Sequence, residues 1–329
     1  MLKVTAFSCF VTMFFCRAAG FGFGFDFDEY EFTLGVGAEF YYGTSFEIVY
    51  RENGDYLSEL QWELKPLFLL ALKASLGPKK NARKRGFFSE LELAAGIPAK
   101  TGSMEDRDWL ESTVPGSLSL FSRHDNHTNG AFTVEATAGV SFPLGSLFFI
   151  DPLVSFDYMY FDFESHDGYI QYGGNSPENP DGSVKTDNLP FDPSWPKIYT
   201  AGRQVRYRQY WFLLSAGSRF GLYYNGFFCN FSFKITPLVF CYAVDTHYLR
   251  NLYFTDTMFG IVYMEPQLTL GCDMGKFRLE GFFSYRYIAG TIGFQEVIDV
   301  NSGSSTSGFG AGAGFESFRG GITIHCLFF

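Results

Sequence analysis

Beyond its N-terminus the chain lacks any apolar run long enough for a membrane helix, which needs about 18 or more such residues. Its longest stretch, residues 67–76, is too short and is interrupted by Lys73. Charge is scarce too, at 18% of 329 residues, and the excess of acids gives a net charge of −10. That balance excludes the basic footprint of a general nucleic-acid binder. No C-x-x-C pair, Walker loop, H-E-x-x-H segment or dinucleotide fingerprint occurs, so no metal or cofactor is expected. His127, His166 and His325 show no ligand spacing.

Aromatic residues are abundant instead, at 20% of the chain, with 41 Phe and 20 Tyr, while mean hydropathy is only +0.01. Many aromatics at middling hydropathy fit alternating strands with one face toward lipid and the other toward water. The N-terminus reads as an export signal. Lys3 supplies its charge, residues 4–15 its apolar region, and Cys16 and Ala18 the small residues before a cut after Ala18. A lipoprotein signal at Cys16 is disfavoured by the bulky Phe15 before it. The expected organisation is a leader over residues 1–18 and one domain over 19–329, bound for the periplasm, the medium or the outer membrane. Cys9 and Cys16 leave with the leader. Cys229, Cys241, Cys272 and Cys326 lie in strand-like segments, where packing is the favoured role and no disulfide is assigned.

Two-residue alternation recurs along the chain. In residues 59–75, Glu59, Gln61, Glu63, Lys65 and Lys73 are expected on one face, and Leu60, Trp62, Leu64, Phe68, Leu70 and Leu72 on the other. In residues 132–142, Thr133, Glu135, Thr137 and Ser141 oppose Phe132, Val134, Val140 and Phe142. In residues 277–287, Arg278, Glu280, Ser284 and Arg286 oppose Phe277, Leu279, Phe283, Tyr285 and Tyr287. Two places change phase. Asn230, Ser232, Lys234 and Thr236 make a polar even-numbered face, yet beyond Pro237 the even positions Leu238, Phe240, Tyr242 and Val244 are apolar. One extra residue, as in a β-bulge, would do this. A similar slip is expected after Met159, where Phe161 and Phe163 replace Phe156, Tyr158 and Tyr160 as the apolar set. Long polar gaps at residues 102–130, 166–206 and 300–308 read as loops, with Asn175 to Gly182 the most turn-rich. Short turns at residues 223–226 and 273–275 alternate with them, and the chain closes on an aromatic-ended strand. The expectation is an all-β, antiparallel transmembrane barrel. A soluble two-sheet sandwich is the alternative. The basic run at residues 79–85 is a solvated turn on the short-loop side. Glu59, Glu63, Lys65, Arg278 and Glu280 are expected to point inward and plug the lumen with ion pairs, against the reading of an open pore.

Two polar clusters carry chemistry. Asp106 and Asp108, two apart, project from one side of an extended segment, and close carboxylates repel so that one can hold a proton near neutrality. Asp245 and His247, also two apart, share a strand face, where the carboxylate can orient the imidazole as general base toward water. Ser122 and His124 lie near the first cluster, without the G-x-S-x-G context of a serine nucleophile.

These segments resemble the omptin family of outer-membrane endopeptidases. The resemblance runs through Ser58-Glu-Leu-Gln-Trp62, Gly102-Ser-Met-Glu-Asp-Arg-Asp-Trp109, Pro115-Gly116, Ser122-Arg-His124, Asp245-Thr-His247 and residues 312–329. It implies a barrel of about ten strands whose catalytic site, Asp106, Asp108, Asp245 and His247, faces the cell exterior. In such a site an Asp-His pair activates water opposite an aspartate couple, and Ser122 and His124 are possible supporting residues. Glu47 matches an acid that reads a basic substrate side chain, but its expected partner two residues before Asp245 is Ala243. The family's lipopolysaccharide stripe, Tyr-x-Glu-x-Arg, is matched by Phe156, Tyr158 and Tyr160 without its charges, which puts lipopolysaccharide binding in doubt. The partners implied are polypeptide substrates and outer-membrane lipid, with no nucleic acid. A catalytically inactive barrel acting as adhesin or surface binder is the alternative.

Overall fold

The computed structural model describes residues 29–79, 84–110, 116–172 and 190–328. The expected leader, residues 80–83 of the basic turn, Pro115 and the turn-rich segment 175–182 lie outside the described residues. The described chain is all-β. It comprises β1 (Tyr30–Tyr50), β2 (Tyr56–Pro78), β3 (Gly86–Gly96), β4 (Ala99–Asp108), β5 (Leu120–Leu144), β6 (Phe148–Tyr172), β7 (Ile198–Tyr199) and β8 (Arg203–Tyr224). There follow β9 (Phe227–Thr236), β10 (Val239–His247), β11 (Leu252–Gly260), β12 (Tyr263–Met274), β13 (Phe277–Ile288), β14 (Ile292–Asp299) and β15 (Ser305–Phe328). All fifteen belong to one antiparallel sheet. β1 lies between β2 and β15. Several short strands act in tandem: β3 and β4 both bridge β2 and β5, and β9 and β10 both pair with β8.

The outer surface carries an apolar belt. Leu34, Val36, Phe68, Leu70, Leu72, Val154, Phe156, Leu214, Phe231, Phe233, Ile235, Phe283, Ile322 and Ile324 are all exposed, far more than a water-soluble surface tolerates. β1 has 21 residues and β5 has 25, whereas a tilted strand crosses a bilayer in about 9–11. The strands therefore continue well past the belt. They run on through residues 102–108, 120–130 and 166–172, which the sequence reading assigned to loops. Largely polar on both faces, those segments carry no apolar alternation to announce a strand.

Register decides which side chains enter the lumen. Ile235 pairs with Ala216 and Val239 with Leu213, so four steps on one strand match three on the other. This is the extra residue expected near Pro237. Lys234 and Thr236 face inward below it, and Cys241, Ala243 and Asp245 face inward above it. The expected slip after Met159 is absent. β6 runs against β8 without a shift from Asp157 to Glu164, and Asp157, Met159, Phe161 and Phe163 are all buried inside. The interior itself changes there from charged to aromatic. β2 corrects the reading in the other direction. Its register against β1 shifts by one between Leu67 and Leu64, so Leu60, Trp62 and Leu64 are buried while Phe68, Leu70 and Leu72 face outward. Glu59, Glu63 and Lys65 accordingly lie on the outer face, not in the lumen. Glu59 pairs there with Arg107, and Lys65 with Glu63.

The lumen is filled in two layers. The lower is a charge network. Lys73 bridges Glu39 and Glu92 at 3.3 and 2.8 Å. Arg319 joins Glu39 at 2.7 Å and also meets Glu92 and Glu135. Lys234 holds Glu135, Asp157 and Glu265 at 2.9–3.3 Å, and Arg286 reaches Glu265 at 2.9 Å. An ion-paired plug was expected; of its expected members Arg278 pairs in the interior with Glu31 and Asp273, and Glu280 interacts electrostatically with Arg219. The second layer is aromatic. Trp62 stacks on Phe163 and Tyr207 with centroids 5.6 and 5.9 Å apart, and Phe161 stacks on Phe163 and Phe315. Arg286 donates to the Tyr41 hydroxyl, linking the layers. Among the cysteines, Cys241 is buried inward, Cys229 and Cys326 are exposed, and all four in the described residues are free.

Candidate active site

Above the aromatic layer the interior becomes acidic. β10 brings in Asp245, only 1% exposed, and its Oδ2 lies 2.5 Å from Nε2 of His247. The His247 ring rests against Phe254 on β11, with centroids 5.1 Å apart. The pair faces inward only because of the extra residue at Pro237; without it, odd-numbered residues of β10 would point outward.

Asp106 and Asp108 lie on β4, held in strand geometry by β2 and β5. Asp108 is buried, and Ser58 donates to Asp106 Oδ1 at 3.4 Å. β4 and β10 are not neighbours in the sheet, yet their groups sense one another across the lumen. His247 lowers the Asp108 pKa, and Asp245 raises that of Asp106. The two clusters are therefore electrostatically coupled. Burial drives the Asp106 carboxyl well above the usual range, and Asp108 beside it adds to the rise. Burial also raises Asp108, opposed by the Ser58 hydrogen bond, Arg250 and His247. Glu47 enters from β1, 4% exposed. Its carboxyl is lifted well above the ordinary value, first by burial and then by Asp245, Asp256 and Asp106.

Ser122 and His124 are buried on β5, with Ser122 directly across from Asp106 in the register. Ser122 Oγ lies 3.0 Å from His124 Nε2, and His124 Nδ1 contacts the Asp167 carbonyl oxygen. The histidine's second nitrogen thus meets a backbone oxygen and not a carboxylate, so no serine-hydrolase triad with Asp106 is assembled. Burial holds the His124 pKa below its ordinary value.

Two residues absent from the sequence reading belong to this region. Arg250, in the β10–β11 turn, is the cation that lowers Asp106 and Asp108; nothing in its sequence context marks it. Asp256 pairs directly with Ala243 and is 1% exposed. Its place between Phe254 and Met258, two residues to either side, was a legible sign of an acid on an inward face. Elsewhere in the lumen, Glu135, Asp157 and Glu265 offer oxygens within 4.8 Å of one another, but Lys234 and Arg286 already supply their countercharge.

An antiparallel β architecture with a lipid-facing belt and a polar interior defines an outer-membrane β-barrel protein. Comparison with known proteins makes this specific. The Omptin family pattern matches residues 28–326, and the chain belongs to that family. It is 26% identical to a plasminogen activator of Yersinia pestis over 294 residues, covering 87% of this chain and 85% of that protein. Its fold is similar to that of the outer membrane protease OmpT of Escherichia coli, with a TM-score of 0.72 over 91% of this chain and 97% of that one, at 17% identity.

Proposed function

We propose that the protein is an omptin-type endopeptidase with its site on the cell exterior, after removal of residues 1–18 as an export signal. The fifteen strand segments are read as ten staves of a closed barrel, with β3–β4, β9–β10, β11–β12 and β13–β14 each forming one broken stave and β7 an appendage. In this reading Asp245 orients His247, whose free nitrogen takes a proton from water. That water attacks a peptide carbonyl held opposite Asp106 and Asp108. One member of the couple stays protonated in its buried, like-charged setting and donates to the developing oxyanion. Ser122 and His124 support β4 from beneath, and Glu47 receives a basic substrate side chain.

The observation that carries the reading is the 2.5 Å Asp245–His247 contact, electrostatically coupled to the aspartate couple on β4. The outward aromatics at the lipopolysaccharide stripe pack at a tilt against their neighbours, Tyr158 on Phe212 and Tyr160 on Tyr210. That favours ordinary acyl-chain contact over phosphate binding.

The test is cleavage of a peptide library by refolded protein in detergent. Wild type is expected to cut near basic residues, and Asp245→Ala or His247→Ala to lose about 10²–10⁴-fold in kcat, the range for general-base catalysis. A correctly folded barrel that cleaves nothing would refute catalysis and leave the surface-binder reading.

A further inference from the structure

Resting on the proposed function, a second question is how the substrate's basic side chain is held when Ala243 offers no carboxylate. Asp256 on β11 and Glu47 on β1 answer it, for Asp256 is one of the acids that raise the Glu47 carboxyl. Each is almost wholly buried, and each has a carboxylate oxygen, Asp256 Oδ1 and Glu47 Oε2, without a hydrogen-bond partner. Among the described residues neither has a cationic partner within ion-pair range, although the same lumen neutralises its lower acids with Lys73, Lys234, Arg286 and Arg319. Two buried carboxylates that act on one another electrostatically, with no cation paired to either, are costly unless a cation joins them. Ala243, directly opposite Asp256, presents only a methyl group where a carboxylate was expected.

We propose that Asp256, reaching in from β11, is the second carboxylate of the pocket for the substrate's basic side chain, taking the place left vacant at Ala243. Asp256 and Glu47 then bracket one guanidinium or ammonium group. The acid has moved one strand sideways, so selectivity for a cation is retained despite the loss on β10. Asp256 is a specificity-determining residue and takes no part in the proton transfer at His247.

The probe is benzamidine, with neutral benzamide as its control, together with peptides carrying arginine or the uncharged isostere citrulline at the cleavage site. Asp256→Asn is nearly isosteric, and its fold is checked by circular dichroism in detergent. Benzamidine affinity is expected to fall at least tenfold in Asp256→Asn, with benzamide unaffected. The arginine-to-citrulline preference in kcat/KM is expected to collapse, with the larger share of the loss in KM for the arginine peptide. The double variant Asp256→Asn/Ala243→Asp is expected to restore the preference, which a merely structural role for Asp256 would not produce. Equal benzamidine affinity in folded wild type and Asp256→Asn would overturn the inference. Asp256-dependent benzamidine binding without any peptide cleavage would instead uphold the pocket and refute the protease.

Discussion

Two levels of one lumen treat buried charge in opposite ways. At the lower level Glu39, Glu92, Glu135, Asp157 and Glu265 are interleaved with Lys73, Lys234, Arg286 and Arg319, and the Tyr263 hydroxyl and Ser284 complete the coordination of Glu265. At the upper level, among the described residues, the cations serving Glu47, Asp106, Asp108, Asp245 and Asp256 are only His247, in direct contact with one of them, and Arg250, acting on two. The aromatic layer built on Trp62, Phe161 and Phe163 separates the two. Saturated charge serves structure, because every acid already has its partner. Unsaturated charge stores electrostatic cost that a substrate cation or a reacting water can relieve.

The sharpest way to break this contrast is at the lower level. Lys234→Met strips the shared cation from Glu135, Asp157 and Glu265, and is expected to destabilise the barrel by about 3–5 kcal/mol, read by denaturant unfolding in detergent. A neutral result would mean that the network is not structural.

The upper level should respond with the opposite sign. Burial, with Asp245 adding, raises the Asp256 pKa from 3.8 to about 7. A carboxyl whose folded pKa is raised favours folding while protonated, and that advantage is lost as pH climbs from the unfolded to the folded value. Asp256→Asn, which cannot ionise, is therefore expected to be more stable than wild type above pH 7, by up to about 4 kcal/mol. The difference should shrink to nothing below pH 4, as roughly set by the unfolded carboxyl. Glu47, Asp245, Cys241 and Tyr207 face Asp256 across the site and Gln295 bonds it. Burial raises the Cys241 thiol and the Tyr207 hydroxyl well above their ordinary values, so neither ionises in this window. Destabilisation at pH 8 would contradict the picture of an unneutralised pocket.

The smallest effect is expected at Arg250, an exposed cation that favours ionised Asp106 and Asp108. Arg250→Gln should move the alkaline limb of the pH–rate profile upward and change kcat/KM by at most about fivefold, the scale of a solvent-screened pair. The effect should fade at high salt.

How far the sequence disclosed this arrangement depended on what lay on each strand face. β13 was legible because Phe277, Leu279 and Phe283 meet lipid while Arg278, Ser284 and Arg286 do not. Asp-x-His at 245–247 was legible because a change of phase near Pro237 could be counted. β2 misled because both its faces are apolar over residues 67–72, so Phe68 and Trp62 looked like neighbours on one side. The strands carrying Asp106, Asp108, Ser122 and His124 looked like loop because, above the membrane, neither face needs to be greasy. The relation of Asp256 to Ala243 was hidden for another reason: it exists only across a hydrogen-bonded pair of strands, and pairing is not written in local periodicity.

The extra residue at Pro237 has a further consequence. Because side chains on a strand alternate, a single insertion acts as a phase shifter between two stretches of one stave. The stretch below answers to the bilayer and the charge network, and the stretch above answers to the chemistry. Each can drift in sequence without turning the other inside out, so an anchoring module and a reactive module share one continuous backbone while remaining separately adjustable.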